Sequence, residues 1–412
     1  MDILRFITAG NVDDGKSTLI GRLLYDTNNI KHDILQAVSG SDGVSNLAHI
    51  TDGLRAERQQ GITIDVAYKY FTTEHRKYII TDAPGHFQYT KNLVTGASGV
   101  DAMIILIDAQ NGITEQTRRH SLVGSFLQTG HIVVAINKMD IVGYSEQVFE
   151  TIKNEYLEIA EKLTLQNVSF IPMSALCGDN VLLRSENMKW YKGKTLMQYL
   201  DKCEPVTAKS DALRFSVQYI IEGQEKGYAG KMLSGNLDVK DNVATFPGEQ
   251  SRTIGRIVSG YSDVQMATAG QNVVLYFIND LSASRGDIIS RFHKAPKCNK
   301  VFEATVCWLN IDEPLKIGKE YFLRINSKET VCSISEILFK TDINSFEKYN
   351  DENALDVNQF ARVKIETKDL IPYDEFSELP ENGRGIIIDT ETNYTSGAFV
   401  IEKVIPKQKD TE

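Results

Sequence analysis

The sequence has little of what builds disulfide-rich, zinc-binding or membrane-spanning proteins. Its 412 residues include only five cysteines, which show no Cys-x-x-Cys spacing, and its seven histidines do not cluster near them. We therefore expect neither a disulfide framework nor a zinc site. Apolar runs such as Met103 to Ile107 and Ile132 to Ile136 extend for five residues, whereas a membrane span needs about 18 or more.

The amino terminus also leaves no space for a targeting peptide. A strand-like segment begins at Ile3 and a glycine-rich loop begins at Gly10, so a basic, then apolar, then small-residue leader does not fit. We expect a cytoplasmic protein with no membrane partner.

Positive charge is not in excess. The chain carries 45 basic and 55 acidic residues, a net charge of −10, and most of the excess acid lies in the last third. This balance does not give the electrostatic footprint of a nucleic-acid-binding protein. We therefore expect no nucleic-acid partner, although a local basic face would be compatible with the total.

The length and the changes of pattern along the chain predict three domains. At about 150 residues per domain, the length allows two or three. Residues 1–205 alternate β-branched runs with amphipathic stretches, which is typical of an α/β domain with a mostly parallel sheet. Residues 206–296 and 297–412 contain short strands with glycine turns, which predict two antiparallel β-barrels. The aromatic residues of the first barrel are expected in its core: Tyr219, Tyr228, Phe246 and Phe277.

The first motif lies between a predicted strand and a predicted helix and matches a phosphate-binding loop. It reads Gly10, Asn11, Val12, Asp13, Asp14, Gly15, Lys16, Ser17, with Thr18 next. In such a loop the backbone amides and the helix N-terminus face the phosphates, and we assign nucleotide contacts to all nine residues. Lys16 would reach the β and γ phosphates, and the Ser17 hydroxyl would ligate Mg²⁺.

Two later motifs predict that the base is guanine. Asn137, Lys138 and Asp140 follow a predicted strand, and the Asp140 carboxylate suits the N1–H and 2-amino donors of guanine, whereas adenine offers no matching pair. Asn137 would meet the opposite edge of the base. Ser174, Ala175 and Leu176 follow the next strand and would add a backbone contact to the guanine carbonyl.

The residues predicted for hydrolysis lie in two other segments. Asp82 ends a strand and would hold Mg²⁺ through water, while Gly85 would aim its amide at the γ phosphate. His86 would position the attacking water, with Lys16 and Gly85 completing the catalytic set. Thr63 would complete the metal shell in the GTP state. Val12 and Ile62 would gate His86. The other histidines considered are expected to be surface or packing residues: His49, His75, His120, His131 and His293.

These five elements, followed by two β-barrels, resemble the translation-factor class of GTPases. A closer resemblance is to the large GTP-binding subunit family of bacterial sulfate adenylyltransferase. It rests on long strings of sequence at 12–26, 52–68, 84–90, 117–121 and 184–188. Gln88 also favours this family, since elongation factors usually carry aspartate there. Phe87 departs from the family's usual glutamate.

The resemblance implies GTP as the ligand, Mg²⁺ as the cofactor and a small partner subunit that binds ATP and sulfate. In that family, GTP hydrolysis is coupled to the synthesis of adenylylsulfate and pyrophosphate. The alternative, from another class, is an elongation-factor-like GTPase that carries aminoacyl-tRNA.

Overall fold

A computed structural model describes residues 2–29, 47, 65–205, 210–351 and 354–404. The chain divides into two compact units, one of residues 1–206 with 343–346 and the other of residues 207–342 with 347–412. In the described part of the chain, no helix is both long and apolar enough to cross a membrane.

The first unit is built on a sheet whose described strands lie in the order β2-β3-β1-β4-β5-β6. Strand β2 is antiparallel to β3, and the other neighbours are parallel. The strands are β1 (Ile3–Ala9), β2 (Ala67–Thr72), β3 (Lys77–Asp82), β4 (Ala102–Asp108), β5 (His131–Asn137) and β6 (Val168–Pro172). The β-branched and aliphatic strands β4 and β5 are almost wholly buried, as expected of a parallel sheet with covered faces.

The described helices of this unit follow the strands. They are α1 (Lys16–Asp26), α2 (Thr90–Ala97), α3 (Glu115–Phe126), α4 (Glu146–Lys162) and α5 (Leu196–Lys202). Thr114 caps α3, and Ser145 caps α4, each by accepting a backbone N–H with its side chain. The apolar face of α4 is formed by the buried residues Ile152, Tyr156 and Ile159, which are spaced three or four residues apart. Helix α5 is only seven residues long, too short to show a period in the sequence.

The parallel arrangement brings the functional loops together. Parallel strands end at the same edge of a sheet, and ligands of open α/β sheets bind outside that edge. Here Gly10 follows β1, Asp82 ends β3, Asp108 ends β4 and Asn137 ends β5. The sheet therefore places the predicted phosphate, metal and base motifs at one edge.

The second unit contains two closed barrels of antiparallel strands. In the first, the ring β10-β15-β7-β8-β14-β11 closes because β10 also pairs with β11. The strands of the ring are β7 (Arg214–Ile221), β8 (Gly227–Ser234), β10 (Asn242–Phe246), β11 (Ser251–Ser259), β14 (Asn272–Phe277) and β15 (Ile288–Ser290). Outside the ring, β12 (Ser262–Val264) pairs with β11, and β9 (Asn236–Asp238) pairs with β13 (Met266–Thr268) in a separate two-stranded sheet.

In the second barrel, the ring β17-β21-β22-β16-β20-β18 closes through the pairing of β17 with β18. Its strands are β16 (Lys297–Trp308), β17 (Glu320–Ile325), β18 (Lys328–Thr341), β19 (Lys348–Tyr349), β20 (Phe360–Tyr373), β21 (Arg384–Asp389) and β22 (Thr395–Val404). Each barrel encloses its own apolar core.

This architecture confirms an α/β domain followed along the chain by two antiparallel β-barrels. The division at 205/206 and 296/297 into three domains stays a prediction. One packing prediction was wrong, because Tyr219 is 65% exposed. The register of β7 against β8 shifts between Val217 and Tyr219, which turns Tyr219 away from the core.

Candidate nucleotide-binding site

The phosphate loop joins β1 to α1 in a conformation that needs its glycines. Gly15 precedes the helix with φ of 94°, and a Cβ there would lie 2.4 Å from Nδ2 of Asn137. Asp13 also has a positive φ, 69°. The Lys16 ammonium group donates hydrogen bonds to the backbone oxygens of Gly10 at 3.0 Å and Asn11 at 2.7 Å. The lysine is therefore folded back against the loop that its phosphate ligand would occupy.

Lys16 is almost fully buried, and burial lowers its pKa. The carboxylates of Asp14, Asp82 and Asp13 act in the opposite direction and favour its charged form. A buried cation held against the phosphate loop suits a polyphosphate ligand.

Asn137 connects three of the predicted motifs. Its side-chain Nδ2 donates to the backbone oxygen of Asp14 at 2.8 Å, and its Oδ1 accepts the N–H of Ala175 at 2.9 Å. Both bonds are buried. The side chain therefore fixes the phosphate loop to the loop after β6, and its predicted contact with the base stays a prediction.

The loop after β5 holds Lys138 and Asp140. Lys138 has φ of 61°, and its ammonium group pairs with the Asp108 carboxylate at 2.8 Å. Met139 is buried, and its N–H donates to the backbone oxygen of Met173 at 3.1 Å. This anchoring leaves Asp140 half-buried at the carboxyl edge of the sheet.

The loop after β6 is anchored to α1. Ser174 is buried, and its Oγ accepts the N–H of Cys177 at 3.1 Å. Arg22 of α1 donates to the backbone oxygens of Ala175, at 3.2 Å, and Leu176. The Leu176 side chain is half exposed. Two supporting residues were missed from the sequence, Arg22 and Asp108; Asp108 was recognisable as a carboxylate at the end of a strand.

The loop after β3 approaches the phosphate loop closely at Gly85. A Cβ at this position would lie 2.4 Å from Nζ of Lys16 and 2.5 Å from the backbone oxygen of Gly10. Only glycine fits this contact without displacing its neighbours. His86 follows with an exposed ring, whose Nδ1 accepts the N–H of Gln88 at 3.4 Å.

The described residues fit a magnesium ion that binds together with nucleotide phosphates. Ser17 is the second residue of α1, and Asp82 is buried at the end of β3. Their hydroxyl and carboxylate groups are oxygen ligands of the kind that Mg²⁺ prefers. No group of three or more His, Cys, Asp or Glu side chains able to hold a metal occurs in the described ranges. Such an ion would therefore rely on the phosphates for the rest of its shell. Thr63 and Ile62 lie outside the described residues.

Comparison with known proteins gives two family matches. Residues 1–206 match the Elongation factor Tu GTP binding domain, and residues 301–402 match the GTP-eEF1A C-terminal domain-like family. Among solved structures, the GTP-bound GTPase-like domain of S. cerevisiae Ski7 superposes with a TM-score of 0.52 at 17% identity, covering 98% of both chains. This likeness concerns the fold.

Curated relatives match over nearly the whole chain. Sulfate adenylyltransferase subunit 1 of Shewanella woodyi is 42% identical over 98% of this chain and 88% of the relative. The subunit 1 protein of Aliarcobacter butzleri is 43% identical over 97% of this chain and 87% of the relative. The predicted resemblance is confirmed: the chain belongs to the sulfate adenylyltransferase subunit 1 family, with an elongation factor Tu type GTP-binding domain at residues 1–206.

Proposed function

We propose that this chain is the GTPase subunit of a sulfate adenylyltransferase. It hydrolyses GTP and couples that hydrolysis to the formation of adenylylsulfate and pyrophosphate from ATP and sulfate. The observation that carries the proposal is the connection made by Asn137, which ties the phosphate loop to the two base-recognition loops in a chain of this family.

Guanine selection would come from Asp140. Its carboxylate lies on the loop fixed by Met139 and by the Lys138 to Asp108 ion pair. A carboxylate there accepts both donors of the guanine edge, and charge-assisted hydrogen bonds of this kind are strong. Ser174, Ala175 and Leu176 would close the pocket from the neighbouring strand.

Hydrolysis would depend on the loop after β3. Gly85 brings its backbone within reach of the Lys16 side chain, so its amide is available to the γ phosphate beside a buried cation. His86 would hold the attacking water and stabilise charge in the transition state. Ser17, Asp82 and Thr63 would hold Mg²⁺, which neutralises charge on the β and γ phosphates when bound.

The sulfate chemistry would take place on a small partner subunit that binds ATP and sulfate. The equilibrium between ATP plus sulfate and adenylylsulfate plus pyrophosphate lies far toward ATP, because the phosphate–sulfate anhydride is rich in energy. Synthesis therefore needs an additional source of free energy. GTP hydrolysis on this chain would supply it through the complex.

The test is an adenylylsulfate synthesis assay with purified chain, with and without the small subunit, at increasing GTP. We expect synthesis only in the complex and a rise with GTP. Robust synthesis by this chain alone would contradict the proposal. Retention of RNA on purification, with no effect of GTP on synthesis, would favour the aminoacyl-tRNA-carrying alternative.

A further inference from the structure

The phosphate loop contains a buried carboxyl group in its interior. The Asp14 side chain is only 4% exposed, and its Oδ2 accepts the N–H of Asn11 at 2.5 Å. A Cβ placed on Gly10 would lie 3.2 Å from the same oxygen. The carboxyl group therefore fills the space inside the turn and fixes its shape.

The groups that shift the proton affinity of Asp14 lie on four parts of the first unit. Lys16 on α1 and Lys138 on the loop after β5 favour the carboxylate, as does the Asn11 N–H. Asp108 at the end of β4 and burial itself oppose it, and burial is the largest effect. Together they raise the pKa of Asp14 to about 6.

A bound nucleotide favours the neutral form of Asp14 over its carboxylate. The amides of the loop that Asp14 braces are the groups expected to face the phosphates. A diphosphate or triphosphate brings several negative charges to the same loop, where burial weakens screening by solvent. The phosphates and the Asp14 carboxylate therefore repel each other, and a neutral carboxylic acid removes the repulsion.

We propose that Asp14 takes up a proton when a guanine nucleotide binds, so that nucleotide affinity is linked to pH through this residue. The inference rests on the proposed function only in that GDP or GTP must occupy the loop. It adds a proton to the binding reaction and gives Asp14 a role in setting how tightly nucleotide is held.

Thermodynamic linkage fixes the direction in which nucleotide affinity changes with pH. If binding raises the proton affinity of Asp14, then protonation of Asp14 raises the affinity for nucleotide by the same factor. The affinity for nucleotide is highest at pH values below the pKa that Asp14 has in the free protein. It falls as the pH rises through the higher pKa that Asp14 has in the nucleotide-bound protein. A rise of about one pKa unit on binding corresponds to about a tenfold change in affinity across this range.

The experiment is calorimetric titration of the full chain with GDP at constant Mg²⁺, near pH 6.5, in buffers of different ionisation enthalpy. The slope against buffer enthalpy gives the protons taken up per GDP. The variant Asp14→Asn keeps an oxygen that accepts the Asn11 N–H but has no titrating group. We expect wild type to take up about half a proton more per GDP than Asp14→Asn.

Two features isolate Asp14. The β phosphate of free GDP titrates near pH 6, as phosphate groups do, and free GDP is the same in both titrations. The difference between the two proteins therefore reports the carboxyl group of residue 14 together with its coupling to the bound phosphate. Asp312→Asn changes the same atoms at an exposed site in the second unit and should match wild type.

A direct measurement covers the case in which Asp14→Asn fails to fold. In wild type, GDP binding near pH 6.5 should produce a protonated carboxyl band in the infrared difference spectrum. Equal proton numbers in wild type and Asp14→Asn, or no such band, would overturn the inference while leaving GDP binding intact. Absence of GDP binding in equilibrium dialysis under the same conditions would instead reject the proposed nucleotide site.

Discussion

At the scale of single residues, the site depends on a few side chains with sharply different environments. Lys16 and Asn137 are buried and make bonds to the protein backbone, whereas His86 is exposed and Asp140 is half-buried. The buried residues shape the loops, and the more exposed ones remain available to the ligand. This division predicts different effects for substitutions in the two groups.

Asp140 should control the choice of base. Asp140→Asn loses a charged acceptor for the guanine donors, which should cost on the order of 2 kcal/mol or more in GTP binding. The same change should improve binding of xanthosine triphosphate, whose edge has an acceptor where guanine has a donor. Equilibrium binding of GTP, xanthosine triphosphate and ATP to both proteins tests this. Wild-type chain that binds ATP as well as GTP would contradict it.

His86 should affect chemistry but not binding. His86→Ala removes a group that would act only in the transition state, so the affinity for GTP should be nearly unchanged. Hydrolysis should slow by at least about a hundredfold. Both quantities are measured with the partner subunit present, and a wild-type hydrolysis rate in His86→Ala would remove the assigned role.

Gly85 should be intolerant of even one methyl group. In Gly85→Ala the new Cβ would meet Lys16 Nζ and the Gly10 oxygen at 2.4 and 2.5 Å, so the lysine or the loop must move. We expect GTP affinity to fall by at least about tenfold, equivalent to about 1.4 kcal/mol. Gly99→Ala is the matched control, because among the described residues only Gly99 itself and its chain neighbours have atoms within 4 Å of a Cβ placed there. Equal GTP affinity in Gly85→Ala and Gly99→Ala would contradict this prediction, because it would show that the loop moves to accept the methyl group without loss of binding.

At the scale of elements, strand ends explain why so much of the site was predictable. Asn137, Asp82 and Gly10 each follow a strand, and a parallel sheet gathers such positions without any long-range information. The bonds of Arg22 to the loop after β6 span more than 150 residues, and no local pattern encodes them. The same holds for Tyr219, whose exposure depends on a register shift between two strands.

Helix α3 contributes a buried histidine that should make the first unit sensitive to acid. His120 is 3% exposed, and its Nδ1 has no hydrogen-bond partner among the described residues. Burial, with the nearby charges of Lys16 and Arg119, lowers its pKa to about 3. The unfolded chain, with a histidine pKa near 6.5, therefore binds more protons between pH 6.5 and 3.

Consequently, His120 does not lower the free energy of unfolding above about pH 6.5. As the pH falls toward 3, the free energy of unfolding decreases, by about 2 kcal/mol at pH 5. In His120→Leu the urea midpoint of the first unit should fall less between pH 7.5 and pH 5 than in wild type. His75→Gln, at an exposed position, is the control and should follow wild type. The same loss with acid in His120→Leu would show that other groups dominate.

At the scale of the whole molecule, the proposed function requires the GTPase site to communicate with the chemistry proposed for a partner subunit. Residues 84–89 form the segment after β3 that contacts the phosphate loop through Gly85. A segment in this position can respond to the γ phosphate and present a different surface in the GTP and GDP states. We therefore expect that nucleotide bound at one site changes the binding free energy of nucleotide at the other site.

Such coupling must be reciprocal for binding, so ATP and sulfate on the partner should tighten GTP binding here. If GTP hydrolysis drives the synthesis, GTP turnover should also rise when ATP and sulfate are present. GTP hydrolysis by the complex is measured with and without ATP plus sulfate, and we expect a faster rate with both. Thr63→Ala should abolish that response, because the proposed contact of Thr63 with the metal and γ phosphate would be lost, while GDP affinity stays the same. Residual response in Thr63→Ala would place the sensing contact elsewhere. Identical hydrolysis rates with and without ATP plus sulfate in the wild-type complex would contradict the coupled-GTPase proposal, because the two sites would then exchange no free energy through GTP turnover.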